Sequence, residues 1–184
     1  MESLNENDRN DKIPVVGNFK KVSFAQFEKT LQDLGKNLTK EQAFSVWEKI
    51  KLPARSTSGS SGYDFYCPLD TLIPGDGSSV VIPTGICVEM LVPGWDLSIY
   101  PRSGLGFKHR LALDNSCAVI DADYVYADNE GHIMIKLHKA EDRSPLVIRQ
   151  NDRFVQGIFR PFGLAGGDNA TAARKGGMGS TGMK

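Results

Sequence analysis

A chain of 184 residues with 40% apolar side chains has material for one domain of ordinary size plus an appendage. Its 22 Lys and Arg balance 22 Asp and Glu, which excludes the global basic field that draws in nucleic acid. No apolar run approaches the roughly 18 residues needed to span a bilayer, so no membrane partner is expected.

The chain opens on a polar, charged stretch, residues 1–12, that reads as disordered. Ser23-Phe-Ala-Gln26 has capping-box spacing, and Phe24, Phe27, Leu31 and Leu34 then recur at helical intervals up to Gly35. Thr39-Lys-Glu-Gln42 starts a second helix, with Phe44, Trp47 and Ile50 on one side. Two short helices cannot hold a core alone. They are expected to pack on each other and on the main body or a neighbouring subunit. Residues 1–50 therefore read as a stabilising extension, with a docking module for a protein partner as the alternative.

From Lys51 the texture changes. A Ser/Gly-rich loop, Ser56 to Gly62, precedes Tyr63-Asp-Phe-Tyr66. Short strand-like runs follow at Val80–Ile82, Ile86–Val92, Trp95–Tyr100, His132–His138, Pro145–Ile148 and Phe154–Phe159, each bounded by turn residues. Many short strands between Gly/Pro turns indicate a mainly β barrel or sandwich over residues 51–162. Beyond Phe162 the apolar pattern ends, and Gly163 to Lys184 reads as a flexible, Gly-rich tail. Cys67, Cys87 and Cys117 are odd in number and lack CxxC spacing; with no signal-like start they read as thiols in a reducing, cytoplasmic setting. His109, His132 and His138 show no metal-ligand spacing.

Four stretches carry candidate chemistry. In Asn115-Ser-Cys-Ala-Val-Ile-Asp-Ala-Asp-Tyr124 an apolar strand ends in two carboxylates and a ring. Strand alternation puts Asp121 and Asp123 on one face and Tyr124 on the other, unless the backbone turns. A polar pocket floor and an ordinary strand end both fit. Pro101-Arg-Ser-Gly-Leu-Gly106 offers a guanidinium fork, a hydroxyl and, at Gly104 and Gly106, room for close backbone approach in a tight turn; a surface ion pair is the plainer reading of Arg102. Asn151-Asp-Arg-Phe-Val-Gln156 brings an amide that can donate to phosphate. Gly176-Gly-Met-Gly-Ser-Thr-Gly182 is rich in unshielded backbone N–H groups suited to an anion, beside the cations Arg174 and Lys175.

Together with Ser61-Gly62-Tyr63-Asp64, and in this order, these stretches resemble the five motifs of the trimeric dUTPase family, in a longer-loop bacterial and phage branch. The resemblance covers residues 51–184 and implies a jelly-roll-like β-barrel, a homotrimer with shared active sites, and Mg²⁺-dependent hydrolysis of dUTP to dUMP and pyrophosphate. That reaction limits uracil incorporation into DNA and supplies dUMP for dTMP synthesis. By the same resemblance, Asp121 activates the water that attacks the α-phosphorus, and Tyr124 packs under the deoxyribose. Asn115 reads the uracil edge, and Arg102, Ser103, Gly104 and Gln156 contact phosphate. Arg174, Gly179, Ser180 and Thr181 belong to a tail that closes over the nucleotide. Asp64 sits in the outer sphere of a Mg²⁺ held by phosphates and water, with no direct protein ligand.

Three departures stand out, one being that in many relatives the tail Arg lies one residue upstream of the position of Arg174. Met178 replaces the Phe that usually stacks on the uracil. Val125 to Glu130 lengthens the hairpin before Gly131, where many relatives have a Gly almost at once. Two other readings compete. A dCTP deaminase needs a Glu at the base, and none lies near Asp121 in sequence. A nucleotide-binding regulatory protein would act through the N-terminal helices.

Overall fold

The computed structural model describes residues 13–140, 142, 144–172, 174 and 176. The stretch 1–12 and the tail residues Met178, Gly179, Ser180 and Thr181 lie outside the described residues.

The capping signals of the sequence are realised. Ser23 caps α1 (Phe24–Asp33) by accepting from the Gln26 N–H, and Gly35, at φ 64°, takes the left-handed turn beyond its end. Thr39 and Gln42 form a reciprocal capping box at α2 (Lys40–Glu48). Lys21 Nζ donates to the Trp47 and Glu48 carbonyls at the α2 C-terminus, where a cation is favoured.

A short strand, β1 (Gly17–Lys21), precedes the helices and is an addition to the sequence reading. Its apolar content is low; it forms because β6 (Ile86–Met90) offers an antiparallel edge, from Gly17 opposite Met90 to Lys21 opposite Ile86. The extension is also continuous with the main core. Val22, Phe27, Leu31, Ala43 and Ile50 belong to the same buried cluster as Phe65, Ile82, Leu97 and Ile135. Burying each large side chain contributes about 1.5–3 kcal/mol, so cutting the chain after residue 50 removes core and not only an ornament.

The body is mainly β. A five-stranded sheet runs β2 (Ala54–Arg55), β3 (Tyr63–Tyr66), β12 (Arg153–Pro161), β7 (Trp95–Pro101), β9 (Ala118–Ile120). A three-stranded sheet runs β5 (Val80–Pro83), β10 (Met134–Lys139), β8 (Leu111–Leu113). β4 (Thr71–Ile73) pairs with β11 (Leu146–Ile148). With the β1–β6 pair these sheets wrap one core, in a jelly-roll-like arrangement; among the described residues the ladders do not join into one continuous barrel. No helix among the described residues is long and apolar enough to cross a membrane.

Two local expectations change. The stretch after Pro101 is a helix, α3 (Ser103–His109), despite Gly104 and Gly106, and not a tight turn. The backbone turns after Ile120: the Tyr124 N–H donates to the Asp121 carbonyl at 3.1 Å, and a 3₁₀ turn spans Tyr124–Tyr126. Strand alternation therefore stops at Asp121.

His132 is fully buried where α1 meets the body. Its Nε2 accepts from the Gly85 N–H at 2.8 Å, which leaves the proton on Nδ1, 3.1 Å from Thr30 Oγ1. Burial lowers its pKa from 6.5 to about 4, against a smaller upward pull from Glu130. The unfolded chain therefore binds this proton at higher pH than the folded one. The stabilising contribution is complete above pH 6.5 and is lost as pH falls through about 4, up to roughly 3 kcal/mol. We predict that thermal melting shows this loss below pH 6.5, and that His132→Gln flattens that part of the profile relative to wild type.

Candidate active site

The first group of functional side chains is assembled by sheet register. Gln156 in β12 lies opposite Asp64 in β3 on one side and Tyr100 in β7 on the other. Pro101 ends β7, and the chain leaves the sheet through Arg102 into Ser103 of α3. Asp64, Arg102, Ser103 and Gln156 thus line one cleft of about 390 Å³, whose other wall is the loop from Ser56 to Gly62. Arg55 shapes that loop by donating from Nη1 to the Ser58 and Ser60 carbonyls, at 2.8 and 3.1 Å.

A bulge between Arg153 and Val155 in β12 decides which side chains reach this face. It lets Phe154 and Val155 both enter the core while Arg153 and Gln156 stay outside. Gly62 is needed here for space: a Cβ would stand 2.6 Å from Gln156 Oε1.

Asp64 is the buried electrostatic centre of the cleft. It pairs with Arg102 Nε at 2.9 Å and Arg153 Nη1 at 3.1 Å, and accepts from Ser56 Oγ at 2.8 Å. Two guanidinium groups against one carboxylate leave one positive charge in excess. Asp64 holds Arg102 by its Nε edge, while Arg102 Nη1 reaches the Arg153 carbonyl at 3.4 Å. Such a cleft suits an anion with several oxygens. Sequence reasoning quoted Arg153 and the Ser/Gly loop without assigning them a role. The signal was present in the Asp152-Arg153 pair beside Gln156, but the bulge that exposes Arg153 is not readable from alternation.

The second group surrounds Asp121. Asp121 and Asp123 are both about half exposed, and both accept from Arg174 Nη1, at 2.5 and 3.3 Å. The hydrogen bond to Asp121, partly countered by desolvation, raises the Arg174 pKa. The same guanidinium lies 5.0 Å from the centre of the Tyr124 ring. Tyr124 is buried, and its hydroxyl donates to the His132 carbonyl at 3.0 Å. Asp121, Tyr124 and Arg174 are thus brought together, but none of them lines the Arg102 cleft. Asn115 is exposed in the turn between β8 and β9, where Ser116 takes a positive φ. Gly104 is exposed in the first turn of α3, with nothing within 4 Å of its would-be Cβ. Among the described residues no group of three or more His, Cys, Asp or Glu could hold a metal ion.

Comparison with known proteins bears on the family. The dUTPase family model matches residues 48–182. The deoxyuridine 5′-triphosphate nucleotidohydrolase of Lactococcus lactis is 41% identical over 136 residues, covering 72% of this chain and 89% of that protein. The corresponding protein of Shewanella baltica (strain OS185) is 35% identical over 145 residues, covering 76% of this chain and 91% of its own length. The crystal structure of the Streptococcus mutans dUTPase superposes with a TM-score of 0.57 at 38% identity, covering 63% of this chain and 89% of the other. The motif order, the β fold and these likenesses converge: the chain belongs to the dUTPase family.

Proposed function

We propose that this protein hydrolyses dUTP to dUMP and pyrophosphate, acting as a dUTP diphosphatase. The observation that carries the reading is the cleft in which Asp64 clamps Arg102 beside Ser103 and Gln156, an anion site with fixed, planar donors. Arg102, Ser103 and Gln156 hold the triphosphate, and the first N–H groups of α3, at Ser103 and Gly104, lack intrahelical acceptors and can donate to it. Asp121 accepts the proton of the water that attacks the α-phosphorus, breaking the bond to the pyrophosphate leaving group. Asn115 and nearby main chain read the uracil edge. Tyr124 lies under the deoxyribose and leaves no space for a 2′-hydroxyl. Arg174, paired with Asp121 in the structure, turns to the β- and γ-phosphates with Gly179, Ser180 and Thr181 when residues 163–184 close. Met178 covers the base with a thioether in place of a ring.

The donor set fits a Mg²⁺ that arrives on the triphosphate. Asp64, the one carboxylate among the described residues that line the cleft, is already engaged by Arg102 and Arg153, so it would meet such an ion through water. Bound Mg²⁺ supplies charge neutralisation on the triphosphate and a better leaving group.

The separation of Asp121 from the Arg102 cleft supports a homotrimer in which each site takes the cleft from one subunit and the Asp121 edge from another. The chain divides accordingly into an extension over residues 1–50, a catalytic body over 51–162 and a closing tail over 163–184. The three cysteines are free, which suits the cytoplasmic setting we infer. A protein partner for the N-terminal helices would use their outer face, where Phe44 is exposed, since Phe27 and Leu31 are committed to the core. The deaminase reading loses ground: Glu130, the Glu nearest to Asp121 in sequence, spends its carboxylate on Ser23.

Three outcomes are expected. Asp121→Asn keeps dUTP binding but lowers kcat by about 10³-fold or more, because the base is removed; full turnover would sink the assignment. Gly62→Ala pushes the Gln156 amide aside and raises KM for dUTP with little change in folding, read from steady-state kinetics and a melting curve. Refolding Asp121→Asn together with Arg102→Ala restores turnover that neither variant has alone; a mixture as inactive as its parts would place each site within a single chain.

A further inference from the structure

Helix α1 precedes the span matched by the family model, and an excursion over residues 125–130 leads from Tyr124 to Gly131; in the structure the two meet. The Glu130 carboxylate accepts from the Ser23 N–H and the Ser23 hydroxyl, both at 2.7 Å. Ser23 is the N-cap of α1, so the carboxylate sits at the helix end that favours negative charge. Further along α1, Thr30 Oγ1 meets His132 Nδ1 at 3.1 Å. One helix thus grips the chain on both sides of Gly131. Gly131, at φ 66°, closes the excursion: a Cβ there would stand 2.7 Å from Val125 Cα. Glu130 itself holds φ 56°, a conformation uncommon for a non-glycine residue.

The excursion also reaches back to the ring. Asn129 Nδ2 donates to the Tyr124 hydroxyl at 2.8 Å and to the His132 carbonyl at 3.3 Å, while the Tyr124 hydroxyl donates to the same carbonyl at 3.0 Å. A carbonyl only accepts, so the amide nitrogen must face it. That orientation leaves Asn129 Oδ1 buried without a hydrogen-bond partner, an arrangement its two donor bonds maintain.

We propose that Asn129 and Glu130, backed by α1, are positioning residues for Tyr124 and set how strongly the enzyme rejects ribonucleotides. The proposal rests on the reading of Tyr124 as the surface under the deoxyribose. A ring excludes a 2′-hydroxyl only if it cannot recede. The Tyr124 backbone is fixed by its turn, and its far end is fixed by Asn129 and His132. Glu130 locks Asn129 by docking the excursion on Ser23. Loosening either tie lets the ring give way.

The test is the ratio of kcat/KM for dUTP to that for UTP, measured with the full chain alongside thermal melting. Glu130→Ala and Asn129→Ala are each expected to lower the ratio about tenfold, the worth of one well-placed hydrogen bond. Glu130→Gln, which keeps an oxygen acceptor for Ser23, recovers most of it. Tyr124→Phe, which loses the bonds to both Asn129 and the His132 carbonyl, lowers the ratio at least as far, and adding Asn129→Ala to it lowers it little further, because the tie from Asn129 to the ring is already gone. Tyr124→Leu, which fills the buried site without a flat ring, collapses the ratio. If Tyr124→Leu collapses it while Glu130→Ala and Asn129→Ala leave it unchanged, Tyr124 reads the sugar unaided and the positioning role is overturned. If Tyr124→Leu and Tyr124→Phe both leave it unchanged, the sugar is read elsewhere, and the proposal falls with that reading. Lower melting temperatures with an unchanged ratio in the Glu130 and Asn129 variants also overturn it, since they mark a merely structural tie.

Discussion

Strand β12 has neighbours on both sides, and the Arg102 cleft exists because of that double pairing. β3 aligns Asp64 with Gln156, and β7 delivers Pro101 and Arg102 beside them. A slip of one residue would turn Gln156 inward and bring an apolar neighbour to the cleft. The bulge at Arg153 removes the remaining ambiguity by committing Phe154 and Val155 together to the core. Gly157, where a Cβ would stand 3.0 Å from Leu97 and Phe65 side-chain atoms, lets the sheet close tightly behind the site. Register, not loop flexibility, positions the anion-binding groups. This is how Gln156 comes to line one cleft with Arg102 and Ser103, which lie far earlier in the chain.

Electrostatics then divides the labour. Asp64 gives up its own availability to hold two guanidinium groups, so the cleft presents cation rather than carboxylate. Asp121 lies at the open end of a strand, half exposed, and its partner Arg174 comes from the tail. One carboxylate is structural and the other exchangeable. In the proposed role of Asp121 as base, its counter-ion has to leave before it accepts a proton, and a counter-ion carried outside the sheet can do so without disturbing it.

Much of this was legible in the sequence, for physical reasons specific to each element. Ser23 and Thr39 announced their helices because caps are local hydrogen bonds between residues three apart. The runs Val80–Ile82, Ala118–Ile120 and Phe154–Phe159, which lie within β5, β9 and β12, were visible because short apolar runs bounded by turn residues have few alternatives. β1 was not visible, because Gly17-Asn-Phe-Lys-Lys21 becomes a strand only through the edge offered by β6. α3 was read as a turn since two glycines weigh against a helix in isolation. Motif order singled out Asp121, Arg102 and Gln156 as a set, of which the structure brings Arg102 and Gln156 into one cleft. The clamp on Asp64, the Arg174 pairing and the grip of Ser23 on Glu130 join residues up to 107 positions apart, which no local pattern encodes.

The most direct test of the account is pyrophosphate release by the purified full chain with Mg²⁺, comparing dUTP, dCTP, dTTP and UTP at equal concentration. The account predicts rapid release from dUTP and little from the other three. Ammonia from dCTP without pyrophosphate from dUTP, or no release from any of the four, would contradict it.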